Sequence, residues 1–464
     1  MTLQLSSAVL DRNAAYRGVP TRVLMENAGK QAAKLIARKF GKPAKVQIFC
    51  GSGGNGGDGF VVAAELLRKR IPVEVILASA VKNPDAKFYF EKLPRNVVRK
   101  FLPAGRQVRA STKIDAPILV DAILGVGAHG KLRGEIASVI AKMKNSKSKI
   151  ISLDVPTGNL KPELTIAFHS IKTKLACPER VRHGGRVERV PIGIPKIAET
   201  HFGPGDVWKF FPQRNANSHK GENGRVVIVG GSREFVGAPI FATFGAIAAG
   251  VDLVEIFVPK VNFAAARKFA PNFLVHEFSG EPNFLTVESA REIAKFAAEK
   301  NATLVVGPGL GRDDRTRAAV KFLAEKWRGP LVLDADALLP ELRKFASQKV
   351  VLTPHAGELK RLRKNLNAVI LKKGRVDEII FGKRKRWNDS GNAILTVGGS
   401  GDVLSGLVGG LLARNVAPFE AAGIAAFLLG IAGEKIALKS ESTIPQVLAK
   451  IIPKIIREIL AKKY

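Results

Sequence analysis

The sequence predicts an α/β protein of two domains, each built on a parallel sheet with helices on both faces. With 464 residues, the chain is too long for one domain of ordinary size. In both halves, short β-branched runs alternate with amphipathic segments, as expected for βαβ units. Glycine-rich motifs follow several of these runs. Because ligands bind outside the carboxyl ends of the strands in an open parallel sheet, we expect the motifs of each half to converge on one crevice.

The first half begins with a βαβ unit. Its predicted strands are residues 45–49 and 73–77, and the helix between them is predicted at residues 60–70. Further along, residues 136–143 carry apolar side chains at positions i, i+3, i+4 and i+7. This spacing predicts one buried helix face.

A glycine-rich segment, residues 51–59, lies between the first predicted strand and the first predicted helix. Six of its nine residues are glycine, so we expect the backbone itself to approach another group closely. The start of a helix favours an anion as that group. Asn55 and Asp58 add oxygen atoms within the same segment. We interpret it as a ligand-binding loop, with an ordinary solvent loop as the alternative.

A second glycine-rich segment, residues 125–130, follows a predicted strand at residues 117–124 and matches G-x-G-x-x-G. With Asp154 downstream, this pattern favours a dinucleotide-dependent dehydrogenase. That fingerprint normally opens a helix directly, whereas Arg133 and Gly134 intervene here before the helical pattern begins. The dehydrogenase therefore stays an alternative with weak support.

Oxygen-bearing side chains lie at the ends of two predicted strands of the first half. Asp121 belongs to the strand that precedes the second glycine-rich segment. Asp154 ends the strand predicted at residues 150–153 and leads into a turn that contains Thr157. Carboxylate, amide and hydroxyl oxygens suit a hard monovalent or divalent cation. The alternative for Asp154 and Thr157 is a capping role in the turn.

The composition turns to Gly, Pro, Asn and His at residues 203–224. Turn signals without periodicity are typical of a linker, so we predict the domain boundary near residue 210. The second half restarts with a strand at residues 225–229, a helix at 238–249 and a strand at 253–258.

The most informative motif of the chain is Gly398-Gly399-Ser400-Gly401-Asp402, which precedes an apolar helix at residues 403–413. Backbone N–H groups at a helix N-terminus form an anion site, and Asp402 can take a proton from a group that attacks a bound phosphate. A tight turn or cap is the alternative. Three further motifs, at residues 307–311, 353–355 and 373–374, each come directly after a predicted strand.

The chain carries 74 basic and 40 acidic residues, a formal net charge of +34. Such an excess favours nucleic acid as a partner. The basic residues are nevertheless scattered, and the dense run is residues 383–386. We therefore expect a solvated surface, with only non-specific, salt-sensitive nucleic-acid binding.

The two cysteines, Cys50 and Cys177, form neither a disulfide framework nor a metal-ligand pair. The N-terminus has no signal pattern, and the longest apolar run, residues 421–432, is too short to span a bilayer. We expect a cytoplasmic protein without a membrane partner.

Together, these motifs resemble those of the bifunctional NAD(P)H-hydrate repair enzymes. Residues 1–210 resemble the NAD(P)H-hydrate epimerase domain of that family, a Rossmann-like three-layer α/β/α fold. Residues 211–464 resemble its ADP- or ATP-dependent NAD(P)H-hydrate dehydratase domain, a ribokinase-like α/β/α fold. The matching segments are residues 24–29, 51–59, 121–130, 154–158, 220–221, 230–232, 237–239, 307–311, 353–355, 373–374 and 398–402.

The resemblance implies a set of binding residues in each domain. The hydrated nucleotide would contact the first domain at Gly54, Asn55, Gly56, Gly57, Asp58, Gly125, Val126, Gly127, Ala128, His129, Gly130, Lys131 and Asp154. Potassium would be held by Asn55, Asp121 and Thr157, the last at a position where the family usually has serine. In the second domain, the hydrate would contact Ala238, Gly309, His355 and Asp402. The adenine nucleotide would contact Lys373, Gly374, Arg375, Val376, Asp377 and Gly401.

The same resemblance implies the activity: epimerisation of the R and S hydrates of NADH and NADPH, with Asp154 as acid/base, and dehydration of the S hydrate, with Asp402 as base. ADP is favoured over ATP as co-substrate, with Mg²⁺, and a homo-oligomer is expected. The segments between Gly158 and Lys172 and between His355 and Lys373 are shorter than the family usually has. Two alternatives are a ribokinase-like small-molecule kinase, which leaves residues 1–210 unexplained, and an RNA-binding scaffold.

Overall fold

A computed structural model describes residues 5–94, 97, 99–101, 114–127, 132–172, 185–269, 271–280, 283–363 and 366–462. The chain divides into two compact units, one built from Leu10–Pro195 and the other mainly from Lys196–Lys463. We predicted a boundary near residue 210, whereas the units divide before Lys196. The reason is packing: Phe202 and Val207 belong to an apolar core of the second unit.

The elements before residue 195 alternate between strands and helices. The described strands are β1 Val46–Cys50, β2 Val73–Leu77, β3 Arg99–Phe101, β4 Ile118–Ala122, β5 Lys149–Leu153, β6 Leu164–Phe168 and β7 Arg186–Val190. The described helices are α1 Ser7–Tyr16, α2 Thr21–Phe40, α3 Gly54–Arg68, α4 Pro84–Glu91 and α5 Gly134–Lys144.

The elements after residue 195 continue this alternation. The described strands are β8 Arg225–Val229, β9 Leu253–Val258, β10 Leu274–Glu277, β11 Thr303–Val306, β12 Leu331–Leu333, β13 Val350–Leu352, β14 Val369–Lys372, β15 Asp377–Phe381 and β16 Arg384–Asn388. The described helices are α6 Lys196–Thr200, α7 Pro204–Phe210, α8 Gly237–Ala248, α9 Lys260–Arg267, α10 Val287–Glu299, α11 Asp314–Lys326, α12 Ala356–Arg361, α13 Ser400–Ala413, α14 Pro418–Ala437 and α15 Pro445–Ala461.

In the part of the first unit that the structure describes, the sheet has the strand order β3-β2-β1-β4-β5-β6-β7, and all of its strand pairs are parallel. The chain leaves β1 toward β2 on one side, while β4 lies on the other. This reversal is the topological switch point, where ligands of such sheets bind. The predicted α/β class is confirmed for this unit.

The second unit has a sheet of order β10-β9-β8-β11-β12-β13-β14-β15-β16 among the described residues. The pairs from β10 to β14 are parallel, and β14-β15 and β15-β16 are antiparallel. Alternate residues of β8 enter two different cores: Val226 and Ile228 join one, and Val227 and Val229 join the other. Both faces of the sheet are therefore covered, which confirms the three-layer α/β/α prediction.

Candidate active sites

The first candidate site lies at the switch point between β1 and β4. Asn55, in the first turn of α3, donates from Nδ2 to the Leu124 carbonyl at 3.1 Å and to the Leu153 carbonyl at 3.3 Å. Its amide therefore ties the ends of β4 and β5 together. The Oδ1 atom is buried, and no described residue donates a hydrogen bond to it. A buried acceptor without a donor is costly, so this oxygen is available to a ligand.

Asp121 is completely buried at the end of β4. Its carboxylate accepts hydrogen bonds from the Thr157 N–H at 2.8 Å, the Thr157 hydroxyl at 2.7 Å and the Ser152 hydroxyl at 2.9 Å. Burial raises the pKa of Asp121, and these hydrogen bonds oppose the rise. No basic side chain among the described residues contributes to the shift. The structure thus places Asp121 and Thr157 in direct contact.

The glycine-rich segment after β1 differs from the prediction of a loop. Helix α3 begins at Gly54, not near residue 60, and glycine is required inside its first turns by close packing. A Cβ on Gly56 would lie 2.1 Å from the Gly51 carbonyl oxygen, and a Cβ on Gly59 would lie 2.7 Å from Cys50 Sγ. Only the very start of the helix is open: Gly54 is exposed, and a side chain there would meet nothing within 4 Å.

Asp154 lies just after β5 in the left-handed backbone region, with φ of 60°. Residues other than glycine seldom adopt this conformation, and those that do are concentrated at functional sites. Lys172 Nζ lies 2.9 Å from Asp154 Oδ1 and donates to the Phe168 carbonyl at 2.6 Å. A Cβ on Gly125 would lie 3.8 Å from Asp154 Oδ2 and 3.6 Å from Asn55 Cβ. The structure therefore brings Asp154, Gly125 and Asn55 together.

Two further carboxyl groups interact with Asp154. Burial raises the pKa of Asp58 well above its ordinary value, and the charges of Asp154 and Asp11 raise it further. Burial also raises the pKa of Asp11 to about 6, which Lys172 opposes. Asp11 and Asp58 therefore lie close enough to Asp154 for their charges to interact.

Of the residues that follow Gly125 in the second glycine-rich segment, the structure describes Val126 and Gly127. Val126 packs against Val155 and Ala167 in a small apolar cluster, and Gly127 is exposed with open space around it. The predicted hydrate contacts Ala128, His129, Gly130 and Lys131 lie outside the described residues.

The second candidate site lies at the switch point between β8 and β11. Gly307 and Gly309 have φ of 128° and 65°, which favour glycine. A Cβ on Gly309 would lie 3.1 Å from Ala238 Cβ in the first turn of α8. The structure thus brings together two of the predicted hydrate contacts, one after β8 and one after β11.

Further along the same sheet, Lys373 follows β14, and its Nζ lies 2.9 Å from Asp334 Oδ1. Helix α13 begins after Gly399, a residue with φ of 94°. A Cβ on Gly401 would lie 3.5 Å from Lys373 Nζ, so the ammonium group faces the first turn of this helix. A lysine beside a helix N-terminus attracts anions.

Asp402 lies in the same first turn of α13. Burial raises its pKa to about 8; the charges of Asp334 and Asp336 add to the rise, and Lys373 opposes it. Burial alone would lower the pKa of Lys373, but Asp334, Glu358 and Asp402 raise it. The site therefore combines a permanent cation with a carboxyl group that titrates near neutral pH.

His355 is the N-cap of helix α12. Its Nδ1 accepts from the Gly357 N–H at 3.0 Å, and the Glu358 carboxylate accepts from the His355 N–H at 2.8 Å. The backbone at His355 also forms a parallel bridge with Lys373. The imidazole is 59% exposed, and its Nε2 lies 3.4 Å from Glu358 Oε1.

The predicted nucleotide-binding segment forms the turn between β14 and β15. Gly374, Arg375 and Val376 are exposed. Asp377 instead turns inward: it accepts from the Gly374 N–H at 3.0 Å and from Asn388 Nδ2 at 3.0 Å. Asp377 therefore holds the shape of the turn, and the exposed residues remain free for contact.

Four acidic and basic residues of these sites were missed by the sequence interpretation. Asp334 and Asp336 follow the short apolar strand β12, just as the predicted motifs follow other strands, so the same rule could have identified them. Asp11 and Lys172 carry no such signal, because α1 and the segment after β6 are distant in sequence from the other site residues.

The dense basic run at residues 383–386 is largely neutralised. Arg386 forms a buried ion pair with Asp206, Arg384 lies 2.6 Å from Glu420, and Lys385 pairs with Glu378. Paired cations are poor nucleic-acid ligands, so this run does not support the scaffold alternative. Within the described part of the chain, no helix has the length and apolar character needed to cross a bilayer.

Comparison with known proteins matches both halves of the chain. A family model described as NAD(P)H-hydrate dehydratase matches residues 226–454, and one described as YjeF-related protein N-terminus matches residues 21–174. A ribokinase-like superfamily protein from Enterococcus faecalis has the fold of the second unit, with a TM-score of 0.50, 24% identity, and coverage of 56% of this chain and 96% of the other.

Curated relatives extend over nearly the whole chain. The bifunctional NAD(P)H-hydrate repair enzyme of Pyrobaculum aerophilum is 38% identical, with 92% of each chain covered. That of Methanothermobacter thermautotrophicus is 36% identical and covers 92% of this chain and 89% of its own length. With both family models in the expected order and these relatives covering both units, the chain belongs to the family of bifunctional NAD(P)H-hydrate repair enzymes.

Proposed function

We propose that the second unit dehydrates the S hydrates of NADH and NADPH at the expense of a nucleotide phosphoryl group. The observation that carries this proposal is the placement of Lys373 and Asp402 at the N-terminus of α13, beside Asp334 and Asp336. A phosphate-binding helix start, a fixed cation and a base with a pKa near neutrality are what phosphoryl transfer to a hydroxyl group requires.

The hydroxyl group at C6 of the hydrate is a poor leaving group, and phosphorylation converts it into a good one. Asp402 accepts the hydroxyl proton while the oxygen attacks the terminal phosphorus of ADP. The new O–P bond forms, the bridging P–O bond of ADP breaks, and AMP leaves. The C6–O bond then breaks, and phosphate leaves with that oxygen. Loss of a proton from C5 restores the C5–C6 double bond of the reduced coenzyme.

The site residues divide between the two substrates. Ala238, Gly309 and His355 would contact the hydrate, and Gly374, Arg375 and Val376 would contact the nucleotide, with Asp377 holding that turn. Lys373 and the N–H groups from Gly398 to Gly401 would stabilise the transferring phosphoryl group.

Mg²⁺ in such sites is bound mainly by substrate phosphates together with one or two carboxylates. Asp336 is our candidate for this role: its Oδ2 accepts from the Gly311 N–H at 3.0 Å, and its Oδ1 is paired with the exposed Arg312 at 3.5 Å, a long contact that a bound cation would replace. When bound, Mg²⁺ would neutralise charge on the nucleotide phosphates.

For the first unit, we propose epimerisation of the R and S hydrates with Asp154 as the acid/base. Support comes from the convergence of Asp154, Asn55 and Gly125 at one switch point, beside the open start of α3 that suits the nucleotide phosphate. Lys172 would keep Asp154 oriented. Epimerisation makes the whole hydrate pool available to a dehydratase that accepts the S form.

Potassium fits the group formed by Asn55, Asp121 and Thr157. Asn55 Oδ1 is a buried acceptor without a donor, and the buried Asp121 carboxyl lacks a basic partner among the described residues. A weakly held monovalent cation would satisfy both. Threonine keeps the hydroxyl oxygen that serine supplies elsewhere in the family.

One experiment tests both activities. A mixed R and S NADH hydrate preparation is incubated with enzyme and either ADP or ATP, and the absorbance of reduced coenzyme is followed. We expect ADP to be preferred and both epimers to be consumed, with release of AMP and phosphate. A stable phosphorylated product without recovery of NADH would instead indicate a small-molecule kinase.

A further inference from the structure

Phe235 is a half-exposed aromatic residue at the edge of the second candidate site. It lies in the loop between β8 and α8 and is 50% exposed. It is a member of neither apolar core cluster of the second unit. Burying a phenyl ring is favourable, so a ligand that covers this ring would gain binding free energy.

The start of the Phe235 side chain is fixed beside the predicted hydrate contacts. A Cβ on Gly309 would lie 2.6 Å from Phe235 Cβ and 3.1 Å from Ala238 Cβ. Any side chain at position 309 would therefore collide with Phe235. Gly309 therefore packs directly against the start of the Phe235 side chain.

The backbone of Phe235 is held by a buried amide. Asn262 is 1% exposed, and its Nδ2 donates to the Ser232 carbonyl at 2.9 Å and to the Phe235 carbonyl at 3.3 Å. The Ser232 N–H also donates to the Phe235 carbonyl at 3.3 Å. These bonds close the turn at residues 232–235. A rigid turn that presents an exposed ring is preorganised for binding, because little conformational freedom remains to be lost.

We propose that Phe235 positions the hydrated nicotinamide ring by packing against its flat face. This inference rests on the proposed function of the second unit. The hydrate retains a C2–C3 double bond conjugated with the carboxamide and the ring nitrogen, so one part of the ring is planar and can lie against a phenyl ring.

The alternative occupant, the adenine of the nucleotide, is disfavoured by topology. The predicted nucleotide turn follows β14, which lies three strands from β11 in the order β11-β12-β13-β14. Neighbouring strands are about 4.8 Å apart, so this separation is roughly 14 Å. Phe235 thus lies on the hydrate side of the crevice.

The test compares steady-state kinetics of the full-length enzyme and two substitutions of this residue. Phe235→Ala removes the ring, and we expect KM for the S hydrate to rise roughly 3- to 10-fold. The expected kcat and KM for ADP stay within about twofold of wild type, because uniform binding is lost and the reacting groups are untouched. Phe235→Tyr keeps the flat face and is expected to retain the wild-type KM for the hydrate.

Phe381→Ala serves as the matched control, since Phe381 is 42% exposed at the end of β15 and takes no part in the proposed site. An unchanged KM for the hydrate in Phe235→Ala, or a rise confined to ADP, would overturn the inference. If the wild-type enzyme fails to convert the hydrate with either nucleotide, the proposed function itself falls, and with it this inference. Melting temperatures of all variants separate a kinetic effect from misfolding.

Discussion

Lys373 Nζ lies 2.9 Å from Oδ1 of Asp334, a residue at the end of β12 that is 1% exposed. The pair joins the ends of two strands of the second sheet and holds the ammonium group against the first turn of α13. Removing either partner of a buried pair leaves the other charge uncompensated. The cation of this site is therefore fixed before any nucleotide arrives, as electrostatic preorganisation requires.

Replacing Asp402 by asparagine should abolish nucleotide-dependent recovery of NADH from the S hydrate. The substitution keeps the shape but removes the base, and the loss of a positioned base costs on the order of 10²- to 10⁴-fold in rate. Absorbance of the reduced coenzyme measures the effect. Interconversion of the R and S hydrates should continue unchanged. Asp314→Asn, at an exposed acid in α11, is the control, and activity of Asp402→Asn within a few-fold of that control would remove Asp402 from the mechanism.

The rate of dehydration should depend on pH through Asp402. Because burial and the nearby acids raise its pKa to about 8, the carboxyl is mostly protonated below that pH and cannot accept the hydroxyl proton. We expect kcat/KM for the S hydrate to rise with pH, with a midpoint near the Asp402 pKa of about 8, and to level off at higher pH. Asp334→Asn removes one of the charges that raise this pKa, so the midpoint should move to lower pH. A midpoint that stays in place in that variant would contradict the assignment, whatever the absolute rate.

Replacing Asp154 by alanine should stop conversion of the R hydrate to the S hydrate. Dehydration would then consume the S fraction and leave the R hydrate behind, which chromatography of the remaining substrate detects. The dehydratase rate on pure S hydrate serves as the internal control and should match wild type. If the variant consumes both the R and the S hydrate at the wild-type rate, the assignment of epimerase activity to the first unit is wrong.

Potassium should affect the first unit alone. Asp121→Ala removes the buried charge that a cation would balance, so we expect slower epimerisation that excess potassium partly restores. Replacing potassium with a bulky organic cation should slow epimerisation of the wild-type enzyme in the same way. Epimerisation that is indifferent to potassium in both proteins would argue against a cation at Asn55, Asp121 and Thr157.

Much of the fold was predictable because parallel strands are buried on both faces and therefore read as short apolar runs. The prediction for β8 as residues 225–229 is confirmed. The start of α3 was not predictable in the same way, because glycine disfavours helix by about 1 kcal/mol per residue. There, packing against the sheet overrides the local preference.

How well a site residue could be predicted depended on its position relative to a recognisable strand. Asp154 and Lys373 directly follow strands, and this position alone marks them as candidate site residues. Asp334 follows the same rule but comes after a strand of only three residues, which left a weak signal. Asp11 approaches Asp154 only through the tertiary fold, so no local pattern could have identified it.

The glycines of α3 have a consequence for how members of this family are recognised. Gly56 and Gly59 are required by the fit of the helix against β1 and its following turn, whether or not a nucleotide ever binds. A descendant that had lost the epimerase reaction would still need them in order to fold. The glycine signature therefore diagnoses ancestry. Under the epimerase mechanism that we propose, the amide of Asn55 and the carboxylate of Asp154 are instead the positions that distinguish an active homologue from an inactive one.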